Sequence, residues 1–146
     1  MNIKLFGLLL VCALAMAAPS QAGAPLIIAQ PVAVGNMKAT TIHAQTGAMI
    51  LDSIKIKPGG NFGWHTHGAP VAVVVTGGTL TVFDPSVNNC APFKVSKGQS
   101  FVEPANHVHL ARNDGTATVT LYALYLGIPK PSAQNVPAKE PAGCNA

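Results

Sequence analysis

Gly59-Gly60-Asn61-Phe62-Gly63-Trp64-His65-Thr66-His67 opens on two glycines and closes on two histidines with one residue between them. Side chains two apart on a β-strand share a face, so His65 and His67 point one way and Trp64 and Thr66 the other. Further along, Gly98 to Asn113 carries a second pair, His107 and His109, which shares a face where the backbone is extended. Four of the five histidines therefore fall into two such pairs. Neutral imidazole is the commonest metal ligand in proteins, and two pairs brought together between strands offer a metal site. His43, in a loop-like Thr-Thr-Ile-His stretch, reads as a surface residue.

The chain around these motifs is built from short apolar runs closed by turn residues. In Met49 to Ile56, Asp52, Ile54 and Ile56 share one face and Lys55 the other, and Pro58-Gly59-Gly60 ends the run. Val71 to Val75 is continuously apolar and breaks at Thr76-Gly77-Gly78; Thr79 to Phe83 alternates and stops at Asp84-Pro85. Lys97-Gly98 reads as a turn, Val102 to Arg112 as the strand carrying the second histidine pair, and Asn113-Asp114-Gly115 as a hairpin turn. Thr116 to Leu126 is the last long strand, and Pro25 to Val34 an extended segment able to serve as an edge strand. No helical period holds beyond the apolar N-terminus. Strands at roughly ten-residue spacing, bounded by turn residues, predict an all-β sandwich or barrel. From Pro129 the chain turns rich in proline and alanine, and because proline lacks the N–H of a ladder this predicts a tail without pairing.

Gly59-x5-His65-x-His67 followed by Gly78, and then Gly98-x5-Pro104-x4-His109-x3-Asn113, resembles the two motifs of the cupin superfamily over about residues 36–129. The resemblance implies an all-β, single-domain cupin-type jelly-roll β-barrel, with His65, His67 and His109 binding one divalent metal ion inside it. Two positions depart from the family pattern. Many cupins place a glutamate ligand four or five residues after the second histidine, where this chain has Val71 and Ala72, and the usual glycine after the motif proline is Asn106. A three-histidine site without that glutamate has the open geometry of catalytic centres. It is similar to the iron sites of thiol and diketone dioxygenases within the family. Ligand type alone does not choose among iron, zinc, copper, nickel and manganese.

Other residues near the motifs carry weaker signals. His107 is the candidate catalytic residue, as a fourth ligand, a proton shuttle or a support for a ligand. Glu103 and Asp52 are the only carboxylates on predicted strands near the motifs. Asp52 either points inward with Ile54 and Ile56 or lies at an edge open to water. Asn113 reads as structural, holding a turn through its side chain. Trp64 is expected to pack outside the barrel, and of Tyr122 and Tyr125 at most one faces the pocket.

Of 146 residues, 49% are hydrophobic and 10% charged, poor in charge beside the roughly 25% of an ordinary soluble domain. Part of the excess lies at the N-terminus. Met1 to Lys4, an apolar run from Leu5 to Ala18 and the small-x-small Ser20-Gln21-Ala22 read as a signal peptide cleaved after Ala22, with Ala17 or Ala18 as second choices. An uncleaved anchor or a lipoprotein at Cys12 are the alternatives. The organisation expected is a signal over 1–22, an N-terminal extended segment over 23–35, a cupin domain over 36–129 and a Pro/Ala-rich tail over 130–146. The mature chain keeps eight basic and five acidic side chains, net +3, scattered without runs, which excludes a nucleic-acid surface. Its two cysteines, Cys90 and Cys144, suggest a disulfide in an exported protein; separate thiols or a bond between chains are the alternatives.

These features point to a periplasmic or secreted metal-binding cupin, as a dioxygenase-like enzyme acting on a small molecule or as a non-catalytic metal- or small-ligand-binding protein of the cell envelope. A homodimer is compatible with either, and no membrane anchor is expected after cleavage.

Overall fold

Nine strands carry the chain in this computed structural model, which describes residues 29–146. They are β1 (Ala48–Ile56), β2 (His65–Thr66), β3 (Val71–Gly77), β4 (Thr79–Phe83), β5 (Phe93–Ser96), β6 (Ser100–Glu103), β7 (Leu110–Arg112), β8 (Val119–Ile128) and β9 (Val136–Pro137). The expected signal over 1–22 lies outside the described residues.

Alternation builds the two longest inner strands. β8 buries Val119, Leu121, Ala123 and Tyr125, and β3 buries Val71, Val73 and Val75, every second residue in each. They pair antiparallel with Val71 opposite Tyr125 and Val73 opposite Ala123, so both buried rows lie on one face. β1 and β6 flank them in the order β1-β8-β3-β6. A second sheet, β5-β4-β7, adds Leu80, Val82, Val95 and Ala111 to the same apolar cluster. Two sheets around a shared interior make an all-β jelly roll. The ladder is not continuous around it, because residues 61–65 meet residues 109–112 through isolated bridges, Asn61 with Arg112 and His65 with His109. Gly78 turns the chain from one sheet into the other at φ +70°, where a Cβ would lie 2.9 Å from the Thr118 carbonyl oxygen.

Three local expectations are corrected. Residues 29–34 form no strand; the first pairing is a single parallel bridge between Asn36 and Gln99, and residues 25–28 lie outside the described residues. Val102 to Arg112 is not one strand. Pro104 and Asn106, the latter at φ +62°, break it between β6 and β7. Asn113-Asp114-Gly115 is not a hairpin turn, because β7 pairs with β4 and β8 with β1 and β3. The turn crosses between sheets. Asn113 does hold it: buried, it donates from Nδ2 to the carbonyls of Ile56 and Ala117 and accepts from the Gly115 N–H.

The C-terminal tail is paired, contrary to expectation. β9 runs antiparallel to β2, with His65 opposite Pro137 and Thr66 opposite Val136. Ala138 N donates to Trp64 O at 2.8 Å. Bonded positions alternate along an antiparallel strand, so Pro137 occupies the intervening position where no N–H is required. Cys144 is disulfide-bonded to Cys90, with Cα atoms 5.3 Å apart. The bridge packs with Phe83, Leu110 and Trp64 in a small second cluster.

Candidate metal centre

β2 is a short strand that begins with His65, and His67 follows it directly; both are buried. It meets the start of β7 through a reciprocal pair of bonds, His65 N to His109 O at 3.0 Å and His109 N to His65 O at 2.9 Å. Directly paired antiparallel residues share a face, which sets the His65 and His109 rings 4.4 Å apart between centroids. His67, one pleat further on, lies 4.9 Å from His65 and 5.0 Å from His109. One ligand atom from each of the three falls within 4.8 Å of the others, so these histidines can hold a metal ion.

The backbone fixes which nitrogens face the centre. Nδ1 of His65 donates to the Gly63 carbonyl at 2.9 Å, Nδ1 of His109 to the His107 carbonyl at 3.1 Å, and Nδ1 of His67 to the Gln134 carbonyl. A carbonyl only accepts, so each Nδ1 carries the proton and each neutral ring keeps a free lone pair on Nε2. Such outer partners orient histidine ligands in metal sites. Nε2 of His109 is buried without a well-directed hydrogen bond, an arrangement that a cation resolves.

Glu103 enters from the end of β6. Its Oε2 lies 3.2 Å from His67 Nε2 and its Oε1 3.3 Å from His109 Nε2. Adjacent donors around a divalent ion held at about 2.1 Å are themselves about 3 Å apart, so the carboxylate fits beside the rings. The three-histidine set is present as expected, and a carboxylate from another strand stands beside it. Val71, at the position of the missing glutamate, is the cross-strand partner of Glu103. The inward face of β6 was the available signal, but only the register of β3 on β6 shows where it leads.

The sequence model of the cupin family matches residues 27–141. The chain belongs to the cupin family. No match is found among curated proteins. Among solved structures, this cupin is similar to an uncharacterized conserved protein with a double-stranded β-helix domain from Klebsiella pneumoniae, at 16% identity and TM-score 0.52, covering 68% of this chain and 83% of that one. The DMSP lyase DddQ from Ruegeria pomeroyi aligns at 15% identity and TM-score 0.53, over 64% of this chain and 44% of that one. The polyketide cyclase RemF from Streptomyces resistomycificus aligns at 18% identity and TM-score 0.53, over 65% of each. At these identities the likeness is one of fold.

Charge in this cupin's site is tightly coupled. Burial alone pushes the Glu103 carboxyl up, but the His109 and His67 rings beside it outweigh burial and hold the group down at about 2. Burial lowers His65 to about 4, helped by the neighbouring rings, so that imidazole is neutral at ordinary pH. Burial also acts to lower His109, but pairing with Glu103 wins and raises it.

Two cavities flank the centre. A small one of about 30 Å³ is lined by Phe62, His65, His67, Glu103 and Tyr125 among apolar side chains. A larger one of about 560 Å³ opens between β5, β6 and residues 36–40, with Glu103 and His109 in its wall. Of the two tyrosines it is Tyr125 that faces inward, its ring 5.3 Å from His67. Burial, then Glu103 and Asp52, push its phenol up to about 12. Asp52 is half-buried and accepts a 2.6 Å hydrogen bond from Gln134 Nε2. His107 is not in the site. The turn at Asn106 leaves its ring exposed and outside both cavities, and only its carbonyl serves, by holding His109. His43 is exposed, and Trp64 lies on the face of β2 away from His65.

Proposed function

We propose that this cupin binds one divalent metal ion through Nε2 of His65, His67 and His109, with Glu103 as the fourth protein ligand, and that it is a metal-dependent enzyme acting on a small molecule. The observation that carries this reading is the set of three Nδ1–H bonds to backbone carbonyls, which leaves three Nε2 atoms bare, those of His67 and His109 beside the Glu103 carboxylate. A divalent ion held there supplies Lewis acidity to a substrate oxygen. Glu103 and His109 present that centre to the larger cavity, where Phe93, Val95 and Phe101 give an apolar wall. Tyr125 keeps its proton at working pH and serves as a hydrogen-bond donor in the smaller one. With Glu103 in the set, the likeness to three-histidine dioxygenases weakens, so elimination and cyclisation stand beside oxygenation as reactions to test.

A specific observation favours a second reading, a non-catalytic metal- or ligand-binding protein of the envelope. The carboxylates nearest the site are all engaged: Asp52 by Gln134, Asp84 by Ser86 and Glu103 by the histidines. Export is proposed with either reading, and the Cys90–Cys144 bond fits an oxidising compartment. Among the described residues no helix is long and apolar enough to cross a membrane.

Metal analysis of protein recovered from its native compartment tests the centre, because overexpression loads whichever ion binds best. One equivalent of metal in the wild type and none in the His65→Ala/His67→Ala/His109→Ala variant is expected; stoichiometric metal in the triple variant rejects the assignment. The loaded protein is then offered thiols, diketones, catechols and elimination substrates. Turnover of any one selects the enzyme; tight metal retention without turnover selects the binder.

A further inference from the structure

The three Nδ1 acceptors differ in origin. Those of His65 and His109 are carbonyls two residues earlier, Gly63 and His107, which travel with their own loops. That of His67 is the carbonyl of Gln134, 67 residues further along the chain. The segment carrying Gln134 is fastened beside the histidine pair. Gly68 N donates to Ala133 O and Ala138 N to Trp64 O, each at 2.8 Å, and Gln134 Nε2 reaches Asp52 at 2.6 Å. Its far end is tied by the Cys90–Cys144 bridge, packed beside Trp64, the residue preceding His65.

We propose that residues 131–144 form a latch on the metal centre, held shut by the Cys90–Cys144 bond, so that opening the bond loosens the metal. The proposal rests on the metal-binding reading above. A two-residue strand pair is marginal by itself, Val136 is exposed, and Ala133 and Cys144 are the buried apolar anchors of the segment. Without Gln134 in place, His67 can move its proton to Nε2, and that nitrogen then no longer ligates. His65 and His109 keep their own acceptors. A dithiol opens the latch by transferring two electrons and two protons to the bridge, leaving two thiols and becoming a disulfide itself. Cys90 and Cys144 are themselves buried, with Gly143 and Asn145 exposed on either side of Cys144, so the dithiol reaches the bridge as this short segment opens locally.

Zinc release to a chromogenic chelator is measured on the full mature chain with the bond intact and on Cys90→Ser/Cys144→Ser, with Asn113→Ala as a variant destabilised away from the latch. Loss about tenfold faster in the serine variant alone is expected, the usual scale for removing a ligand's outer partner. Equal rates in bridged and serine proteins overturn the latch. Metal-free NMR supplies a readout that needs no zinc, with dithiothreitol, itself a zinc ligand, confined to it. Reduction should abolish amide protection at Gly68 and Ala138 and mix the tautomers of His67, while His65 and His109 stay as Nδ1–H. Retained protection and an unchanged His67 overturn the latch. Absence of zinc uptake by the bridged protein rejects the metal reading instead, and the NMR comparison still decides the latch.

Discussion

At the level of single residues, the charge of Glu103 dominates the site and sets its response to acid. Its carboxyl titrates near 2 in the fold against an ordinary 4.5. Such a depressed group stabilises the fold fully above 4.5, and the contribution is lost as pH falls toward 2. His65, lowered from 6.5 to about 4, adds a loss between those values because the unfolded chain takes up the proton first. His109 acts in the opposite sense: its raised value favours the fold below 6.5 and fades as pH rises through it. The metal-free wild type is therefore expected to lose thermal stability steeply between pH 4.5 and 2, and Glu103→Gln to lose much less over that interval. Parallel melting curves for the two proteins would reject the pairing of Glu103 with the histidines. Asn113 carries a different burden. Its buried amide satisfies two carbonyls, those of Ile56 and Ala117, and Asn113→Ala leaves both without this partner. A cost of about 2–3 kcal/mol in urea unfolding is expected; a change below about 0.5 kcal/mol, the scale of a neutral surface substitution, would show that water replaces the side chain.

Among elements, the pairing of β3 with β6 sets the position where the family pattern lacks a glutamate opposite the carboxylate proposed as the fourth ligand. Val71 and Glu103 are direct cross-strand partners, and such Cβ atoms stand only about 5 Å apart. A carboxylate can reach the same rings from either strand. Glu103→Val is expected to weaken zinc binding about tenfold or more. Adding Val71→Glu to it should restore most of that affinity, whereas Val71→Glu alone places two carboxylates side by side and destabilises the fold. Calorimetric titration of the three variants checks the pattern; a double variant no better than Glu103→Val shows that position 71 does not reach the ion. The same pair marks how far the site was legible in the sequence. His65, His67 and His109 were readable because spacing and parity within a motif suffice for them. Glu103 stood in view on a predicted strand, but its role depends on register between two strands. His107 shares the spacing of a strand pair with His109, yet the backbone at Asn106 is not extended, and its ring is lost to solvent. Short apolar runs closed by turn residues similarly announced β1, β3, β4 and β8, while the two-residue β9 sits among prolines and carries no periodicity to read.

On the scale of the whole molecule, the C-terminal segment adds a short strand to β2, beside two larger sheets that do not close on each other. Its sequence argues for fraying: prolines at 129, 131, 137 and 141, and few apolar side chains. Its partners argue otherwise, since it completes β2 and supplies the acceptor for His67. The bridge spans 54 residues of sequence, and a loop of that length restricts the unfolded chain by about 4 kcal/mol in the chain-entropy account. Cys90 lies in a turn whose backbone, Asn89 and Cys90 both at positive φ, is held by the Cys90 N–H donating to the Val87 carbonyl. Reduction should therefore leave that turn in place and free only the tail. The metal-free protein is expected to unfold at lower urea after reduction, with a loss of up to about 4 kcal/mol. Mass spectrometry of exported, unreduced protein tests whether Cys90 and Cys144 are joined within one chain. A monomer two hydrogens lighter than the reduced chain, with one cross-linked peptide containing Cys90 and Cys144, is expected. Free thiols or a disulfide-linked dimer would mean that the tail is held by β9 and the Gln134 contacts alone, and reduction would then leave monomer stability unchanged.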